Sequence, residues 1–237
     1  MTNPAGRAQW VLGKLGRESV VDDKRCVVAV DGPSGSGKST VSRRLATALD
    51  GVYLDTGAMY RAVTWAVLEA GVDVADPEAV AKIAAETELS IGTDPVDSHF
   101  FANGIDVSAA IRGPAVTGAV SAVAAVPAVR RQLVAQQQAI IAAHPRIVVE
   151  GRDIATVVAP DADLKVYLTA SPAARAQRRS AEDATDVAAT AADMARRDRY
   201  DSSRATDPLR QASDAIEVDT TGLSIDEVVS QVLDLLS

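Results

Sequence analysis

The feature that most constrains this chain is a glycine-rich stretch that directly follows an apolar run. Residues 26–31 are predicted to form a buried strand of a parallel sheet, because residues 26–30 are all apolar and include three β-branched valines. Residues 32–39 match the pattern G-x-x-x-x-G-K-[ST] of a phosphate-binding loop. Residues 38–49 carry apolar side chains at helical spacing. The alternative, a flexible Gly/Ser turn, does not explain this order of strand, loop and helix, so we predict that the chain binds a nucleoside triphosphate.

The residue types in this loop each suit the binding of a triphosphate. Glycine allows backbone conformations that a Cβ would penalise, so successive N–H groups can turn towards phosphate oxygens. Lys38 is expected to reach the β and γ phosphates, and the Ser39 hydroxyl is expected to ligate Mg²⁺. The start of the following helix adds partial positive charge. We therefore predict a nucleoside triphosphate with Mg²⁺ at this loop, bound by Gly32, Pro33, Ser34, Gly35, Ser36, Gly37, Lys38, Ser39 and Thr40.

Length and charge limit the class of protein. A chain of 237 residues is long enough for one substantial domain with a small insertion. The formal net charge of −8 argues against nucleic acids or acidic membranes as partners. No apolar run approaches the roughly 18 residues of a membrane span, and residues 1–24 lack the continuous apolar segment of a signal peptide. We expect a cytoplasmic monomer in which residues 1–24 form a flexible extension.

Strands and helices alternate along most of the chain. Further strands are predicted at residues 52–55, 146–150, 164–168 and 215–219, and helices at residues 60–69, 76–87, 114–143, 171–199 and from 224 onwards. Such alternation predicts a parallel sheet with helices on both faces. Residues 89–112 differ, because short alternating pieces are separated by Gly92, Pro95 and the turn dipeptide Asn103-Gly104. We predict a small antiparallel sheet there.

Arginines follow several of the predicted strands, at the edge where α/β proteins bind ligands. Guanidinium groups stay charged and bind phosphate oxygens through two parallel donors. The alternative for any one arginine is a helix-surface ion pair with a nearby acid such as Glu182 or Asp193. Transfer of a phosphoryl group between two phosphorylated molecules would use such a set of cations. The arginines are Arg61, Arg112, Arg130, Arg152, Arg175, Arg178, Arg179, Arg196, Arg197 and Arg204.

Five stretches have more specific patterns: residues 31–40 (DGPSGSGKST), 54–61 (LDTGAMYR), 106–112 (DVSAAIR), 150–153 (EGRD) and 197–204 (RDRYDSSR). Together they resemble the nucleoside monophosphate kinases, and specifically the bacterial cytidylate kinases. The resemblance implies an α/β fold of the P-loop NTPase type, with a five-stranded parallel sheet of order 2-3-1-4-5. It implies a kinase domain over residues 25–237, a monophosphate-binding insertion at about 56–145 and a helical lid at about 175–197. The implied reaction moves the γ-phosphate of MgATP to CMP, and also to dCMP.

The resemblance also implies roles for individual residues. Cytosine contacts are implied for Ser121, Arg130 and Asp153, and an ATP contact for Arg178. Contacts to the acceptor phosphate or ribose are implied for Thr56, Arg61, Arg112, Arg152, Arg197, Asp201 and Arg204. Transition-state charge is implied to be shared by Lys38, Arg61, Arg152, Arg197 and Arg204. Asp201 has the alternative of a helix-end ion pair with Arg197 or Arg204. Two departures from the family pattern are Thr56, where serine is common, and Ala155, where glycine is frequent.

Other classes of P-loop protein carry motifs that this sequence lacks. It has neither the Asn-Lys-x-Asp of guanine-reading GTPases nor the Leu-Ser-Gly-Gly-Gln of ABC-type ATPases. Two alternatives remain open at this point. One is a kinase for another small acceptor, such as AMP, UMP or a non-nucleotide acid. The other is a regulatory protein that binds ATP without transferring its phosphate.

Overall fold

The computed structural model describes residues 25–183, 185–204 and 206–236. The expectation of a flexible extension at residues 1–24 lies outside these ranges. The described part contains two sheets and eight α-helices. In chain order its elements are β1 (Cys26–Asp31), α1 (Lys38–Ala48), β2 (Val52–Asp55), α2 (Thr56–Glu69), α3 (Pro77–Glu86), β3 (Leu89–Ile91), β4 (Phe100–Ala102), β5 (Ile105–Asp106), α4 (Pro114–Ala125), α5 (Pro127–Ala143), β6 (Arg146–Gly151), β7 (Leu164–Thr169), α6 (Pro172–Asp183), α7 (Val187–Ser203), β8 (Ile216–Asp219) and α8 (Ile225–Asp234).

The larger sheet is parallel throughout and has the strand order β2-β6-β1-β7-β8. Counted within this sheet alone, the order is 2-3-1-4-5, because three strands of the smaller sheet intervene in the chain. The carboxyl ends of the central strands meet at one edge. Asp31 at the end of β1 is in register with Gly151 of β6, and Asp55 of β2 is in register with Glu150. The edge therefore brings the phosphate-binding loop next to the loop that follows β6.

Helices cover both faces of this sheet, as the alternation of elements predicts. Val27 and Ala29 pack in a cluster with residues of α2 and α5, such as Val63 and Leu133. Val28 and Val30 pack in a second cluster with α1 and α8. Alternate residues of a strand point to opposite faces, so one apolar strand serves both clusters. This explains why β1 is an unbroken apolar run.

The smaller sheet is antiparallel and has the order β3-β4-β5, which confirms the small antiparallel sheet predicted for residues 89–112. Asn103 and Gly104 both have positive φ, as a tight turn between β4 and β5 requires. Phe100 and Ile111 of this region pack in a cluster with Ala58 and Ala62 of α2. The insertion is thus held against the helix that follows β2, beside the edge where the phosphate-binding loop lies.

Three local predictions were wrong or incomplete. Helix α2 begins at Thr56 and not at residue 60, because the Asp55 carboxylate accepts the N–H of Ala58 at 2.9 Å and caps the helix. A π-helical turn at Ile154–Val158 follows β6 and was not expected. Helix α7 continues to Ser203, four residues beyond the expected end. Within the described ranges, no helix is long and apolar enough to cross a membrane.

Candidate active site

A cleft of about 1260 Å³, part of it open to solvent, lies at the carboxyl ends of β1, β2 and β6. It brings together residues from the phosphate-binding loop, from α2 and α4, from the loop after β6 and from α7. Most of the site residues proposed from the sequence line it. They are Ser34, Gly35, Gly37, Lys38, Ser39, Thr40, Thr56, Arg61, Arg112, Ser121, Arg130, Arg152, Asp153, Arg197, Asp201 and Arg204.

The phosphate-binding loop has the backbone that its glycines predict. Gly35 and Gly37 have φ values of 75° and 87°, which residues with a Cβ rarely adopt. The Pro33 carbonyl accepts hydrogen bonds from Lys38 Nζ at 2.8 Å and from Ser36 Oγ at 3.0 Å. Pro33 and Ser36 therefore shape the loop and do not line the cleft. Burial, and next the charge of Arg152, lower the pKa of Lys38.

Glu150, the penultimate residue of β6, faces the loop and was not among the predicted site residues. Its Oε1 accepts hydrogen bonds from Ser39 Oγ at 2.8 Å and from Tyr53 OH at 2.7 Å. Its Oε2 is buried and has no hydrogen-bond partner in the described part of the chain. Burial, and next the charge of Asp55, raise the pKa of Glu150. Glu150 could have been predicted from its position, because it is an acidic residue near the carboxyl end of the strand beside β1.

A group of arginines gives the cleft positive charge near α2. Arg61 Nη1 donates to the carbonyl of Ile111 at 3.0 Å and to Thr117 Oγ1 at 2.9 Å. Burial, and next the charge of Arg197, lower the pKa of Arg61 to about 10. Arg179 and Arg112 act in the same direction. Because cations repel one another here, a bound phosphate would relieve the repulsion.

Arg130 and Asp153, two of the predicted cytosine readers, form an ion pair in the cleft. Arg130 Nη2 contacts Asp153, and Arg130 Nε donates to Asp207 Oδ2 at 2.8 Å. Arg204 Nη2 lies 3.6 Å from the other oxygen of Asp153. The Arg130 side chain is 2% exposed, so its charge depends on these carboxylates. The third predicted reader, Ser121, lines the same cleft.

Tyr60 lines this part of the cleft and Asp207 pairs with Arg130, and the sequence analysis predicted neither. The Arg130 guanidinium lies 5.5 Å from the centre of the Tyr60 ring, within the range of a cation–π contact. The Tyr60 hydroxyl is buried and has no hydrogen-bond partner in residues 25–183, 185–204 and 206–236. Tyr60 lies within the LDTGAMYR stretch beside Arg61, which was a signal for it. Asp207 had no comparable signal.

Ion pairs join helices α6 and α7, the region of the predicted lid, to the rest of the cleft. Arg152 Nε lies 2.9 Å from Asp201 Oδ2, and Arg152 Nη1 lies 3.5 Å from Asp198 Oδ1. Arg175 Nη1 donates to Asp198 Oδ2 at 2.6 Å and to the Ser34 carbonyl at 3.0 Å. The structure therefore pairs Asp201 with Arg152, and not with the two arginines that the sequence had offered as alternatives.

Some of the predicted residues have other contacts. Arg178 lies outside the cleft lining, because its guanidinium donates to Thr220 Oγ1 at 2.9 Å and to the Thr220 carbonyl at 2.6 Å, in the loop after β8. The expected ATP contact of Arg178 stays a prediction. Thr56 Oγ1 donates to the Glu150 carbonyl at 2.7 Å. Surface ion pairs within a helix, the alternative reading of the arginines, occur at Arg179–Glu182 and Arg196–Asp193.

Comparison with known proteins agrees with this geometry. The sequence model described as cytidylate kinase matches residues 28–237. The chain belongs to the cytidylate kinase family. The cytidylate kinase of Nocardia farcinica (strain IFM 10152) is 57% identical over 216 residues, which cover 89% of this chain and 93% of that protein. The cytidylate kinase of Rhodococcus jostii (strain RHA1) is 56% identical over 218 residues, which cover 90% and 95%.

The solved structures that resemble this member of the cytidylate kinase family are more distant. A gluconokinase from Sinorhizobium meliloti 1021 has a TM-score of 0.48 and 16% identity, and the match covers 89% of this chain and 90% of that protein. A shikimate kinase from Acinetobacter baumannii, solved with shikimate, has a TM-score of 0.46 and 14% identity over 90% and 94%. Family membership therefore rests on the sequence matches, and the resemblance found in the five sequence stretches is confirmed.

Proposed function

We propose that the protein transfers the γ-phosphoryl group of ATP to CMP, giving ADP and CDP, and that dCMP is also an acceptor. The observation that carries this proposal is that one cleft is lined both by a phosphate-binding loop and by the buried Arg130–Asp153 pair. The loop suits a triphosphate donor, and the ion pair suits a polar base edge. A direct transfer requires both ligands in one site, which this cleft offers.

The donor half of the cleft would hold the triphosphate through backbone N–H groups of the loop and the start of α1. Lys38 would exchange its bond to the Pro33 carbonyl for phosphate oxygens. Arg175, which contacts the Ser34 carbonyl, lies beside the same loop. The loop after β8, held by Arg178 through Thr220, adjoins it as well, because Thr220 Oγ1 donates to the Ser36 carbonyl at 3.1 Å. Arg178 would therefore support the ATP site from behind the loop.

Ser39 and Glu150 fit Mg²⁺, the metal that this reaction class uses. Hydroxyl and carboxylate oxygens are the ligands that Mg²⁺ prefers, and the two side chains are already 2.8 Å apart. The buried Oε2 of Glu150, without a hydrogen-bond partner in the described residues, is free to face the metal or its water. When bound, Mg²⁺ would neutralise part of the charge on the phosphate oxygens. Tyr53 would orient the carboxylate through its hydroxyl.

The acceptor half would recognise cytosine through opposite hydrogen-bonding groups. The exocyclic amine of cytosine donates, and Asp153 can accept from it. The N3 and O2 atoms accept, and Arg130 or Ser121 can donate to them. Uracil presents a carbonyl oxygen where cytosine has the amine, so a carboxylate at that position would repel it. A site discriminates strongly against a ligand that leaves the polar groups of the site without hydrogen-bond partners.

The arginines of the cleft would hold and neutralise the reacting phosphates. Arg61 and Arg112 would bind the phosphate of CMP, and Arg152, Arg197 and Arg204 would share the charge that develops during transfer. Asp201 would accept from a ribose hydroxyl. One oxygen of the CMP phosphate forms a bond to the γ-phosphorus as the bond to the β–γ bridging oxygen breaks. No general base is needed, because a monophosphate with a second pKa of about 6 is already ionised at neutral pH.

An acceptor panel tests this function. Saturating MgATP is offered with CMP, dCMP, UMP, AMP or shikimate, and ADP release is followed by a coupled assay. We expect kcat/KM for CMP to exceed the values for UMP and AMP by about 100-fold. Higher turnover with AMP, UMP or shikimate would assign the protein to another acceptor, and ATP binding without any transfer would indicate a regulatory role.

Asp153→Ala tests the base-reading role within the same assay. Loss of the carboxylate should raise KM for CMP by about tenfold or more and reduce the preference over UMP, since a buried acceptor for the amine is removed. KM for ATP should change by less than about twofold. Asp226→Ala is the matched control, because Asp226 is exposed and pairs with Arg44 away from the cleft lining. An equal rise in both KM values for Asp153→Ala would contradict the assignment.

We further propose a monomer that acts on diffusible nucleotides in the cytoplasm, without nucleic-acid or membrane partners. The formal net charge of −8 favours neither nucleic acids nor acidic lipids. Sedimentation equilibrium at assay concentrations should give the mass of one chain. A stable dimer would refute the proposed monomer.

A further inference from the structure

The carboxylate of Asp31 joins the start of the phosphate-binding loop to the turn after β6. Asp31 is the last residue of β1, is 2% exposed and immediately precedes Gly32. Its Oδ1 accepts the N–H of Ile154 at 2.9 Å, and its Oδ2 accepts the N–H of Ala155 at 2.8 Å. Asp31 itself does not line the cleft, so its contacts serve the architecture of the site.

The turn that Asp31 holds has few other ways to satisfy its first backbone donors. Residues 154–158 form one π-helical turn, and the first N–H groups of a helix have no partner within it. Asp31, which lies on the neighbouring strand β1, accepts hydrogen bonds from two of these N–H groups. An N-cap residue does the same for the helix that it precedes in the chain. An aspartate in the loop motif is therefore used by a turn more than 120 positions away.

This turn directly follows the residues that are proposed to bind the acceptor. Arg152 and Asp153 lie between β6 and the turn, and Asp153 has the non-helical φ and ψ of −146° and 26°. The chain is also closely packed before them, since a Cβ on Gly151 would lie 2.5 Å from Ile154 Cδ1. With both ends of the dipeptide held, a shift at the Asp31 contacts would move Asp153 relative to Arg130.

We propose that Asp31 is a positioning residue that sets selectivity for CMP by holding Arg152 and Asp153 in place relative to the phosphate-binding loop. This inference rests on the proposed function. Both carboxylate oxygens act as acceptors here, whereas asparagine offers only one and would direct an N–H₂ group at a backbone N–H. Burial, opposed by the two N–H bonds, raises the pKa of Asp31 to about 6, so the group is ionised at neutral pH.

Asp31→Asn is the test, and Asp163→Asn is its matched control. Asp163 Oδ2 accepts the N–H of Val27 at 2.8 Å, so it also bonds the backbone of β1, but at the amino end of the sheet. We expect Asp31→Asn to raise KM for CMP about tenfold and to reduce the preference for CMP over UMP, with KM for ATP within about twofold. Asp163→Asn should leave both KM values within about twofold, whatever its effect on the urea midpoint.

A double variant shows whether Asp31 acts through Asp153. Added to Asp153→Ala, Asp31→Asn should raise KM for CMP by less than about twofold, because residues that act through one another are non-additive. An equal rise of both KM values, no rise in KM for CMP, or full additivity would overturn the inference. Should Asp31→Asn not fold, Asp31→Ser leaves a smaller acceptor and is judged by the same ratios. Wild-type turnover of CMP tests the proposed function separately, since it does not depend on either variant.

Discussion

Replacing Arg61 by methionine is expected to stabilise the ligand-free protein and to abolish the increase in unfolding free energy that CMP causes. Burial and the neighbouring arginines lower the pKa of Arg61 from its ordinary 12.5 to about 10. A fall of this size corresponds to about 3 kcal/mol against the charged, folded state. A cation with a lowered pKa imposes this cost at any pH below about 10 and releases it as pH rises towards 12.5. The full cost is therefore present at neutral pH.

The contacts that methionine would lose offset part of this gain. Arg61 donates two hydrogen bonds, to the Ile111 carbonyl and to Thr117 Oγ1, each with a net contribution of about 1 kcal/mol. Methionine keeps an unbranched, flexible side chain that can fill most of the space of the arginine stem. The difference, about 3 minus about 2 kcal/mol, leaves the variant more stable than the wild type by about 1 kcal/mol.

Urea unfolding near neutral pH, with and without CMP, measures both parts of this prediction. CMP should raise the unfolding free energy of the wild type, because a ligand that binds only the folded state stabilises it. It should leave Arg61→Met unchanged. Arg44→Met is the control, since Arg44 is 51% exposed and should change stability by no more than about 0.5 kcal/mol. A loss of more than about 1 kcal/mol without ligand in Arg61→Met, or a retained response to CMP, would refute the reasoning.

Two further substitutions test the donor half. Glu150→Gln should lower kcat by more than about 100-fold through loss of the metal-facing carboxylate. Burial raises the folded-state pKa of Glu150 above its ordinary 4.5, so the wild type should lose stability as pH rises above 4.5. In urea titrations the Glu150→Gln variant should lack this decrease of unfolding free energy with pH. The same decrease in both proteins would argue against a raised pKa for Glu150. Gly35→Ala, with φ 75° and a Cβ 2.8 Å from the Arg175 carbonyl, should lose about 1–3 kcal/mol of stability and weaken ATP binding in calorimetry. Unchanged affinity would show that the loop tolerates a Cβ.

The parts of the fold that depend on local pattern could be predicted from the sequence. Each strand of the large sheet was found within about one residue, because each is a short run of apolar or alternating residues with clear ends. The start of α2 was missed because Thr56 and Gly57 have low helix propensity, and the cap at Asp55 decides in favour of a helix. The π-helical turn after β6 was missed because its first donors are satisfied by Asp31, which is distant in the chain.

Sequence motifs and the family resemblance together predicted most of the residues that line the cleft, including Ser121 and Arg130 outside the five stretches. The phosphate-binding loop is a continuous pattern, so its residues and backbone could be assigned directly. Pairs that join distant segments could not, such as Arg130 with Asp207 and Ser39 with Glu150, separated by 77 and 111 positions. The contact of Arg178 with Thr220, in the loop after β8, could not be predicted either, because the two residues are 42 positions apart in the chain.

The arginine group around Arg61 has a practical consequence for anyone who handles this enzyme. Arg61, Arg112, Arg179 and Arg197 line the cleft, and as the proposed phosphate site they would attract tetrahedral anions in general, since this attraction depends on charge and donor geometry and not on the nucleoside. Phosphate and sulfate buffers would occupy this site and compete with the substrate. Kinetic constants measured in such buffers would understate the affinity for CMP, whereas buffers without oxyanions would report it directly.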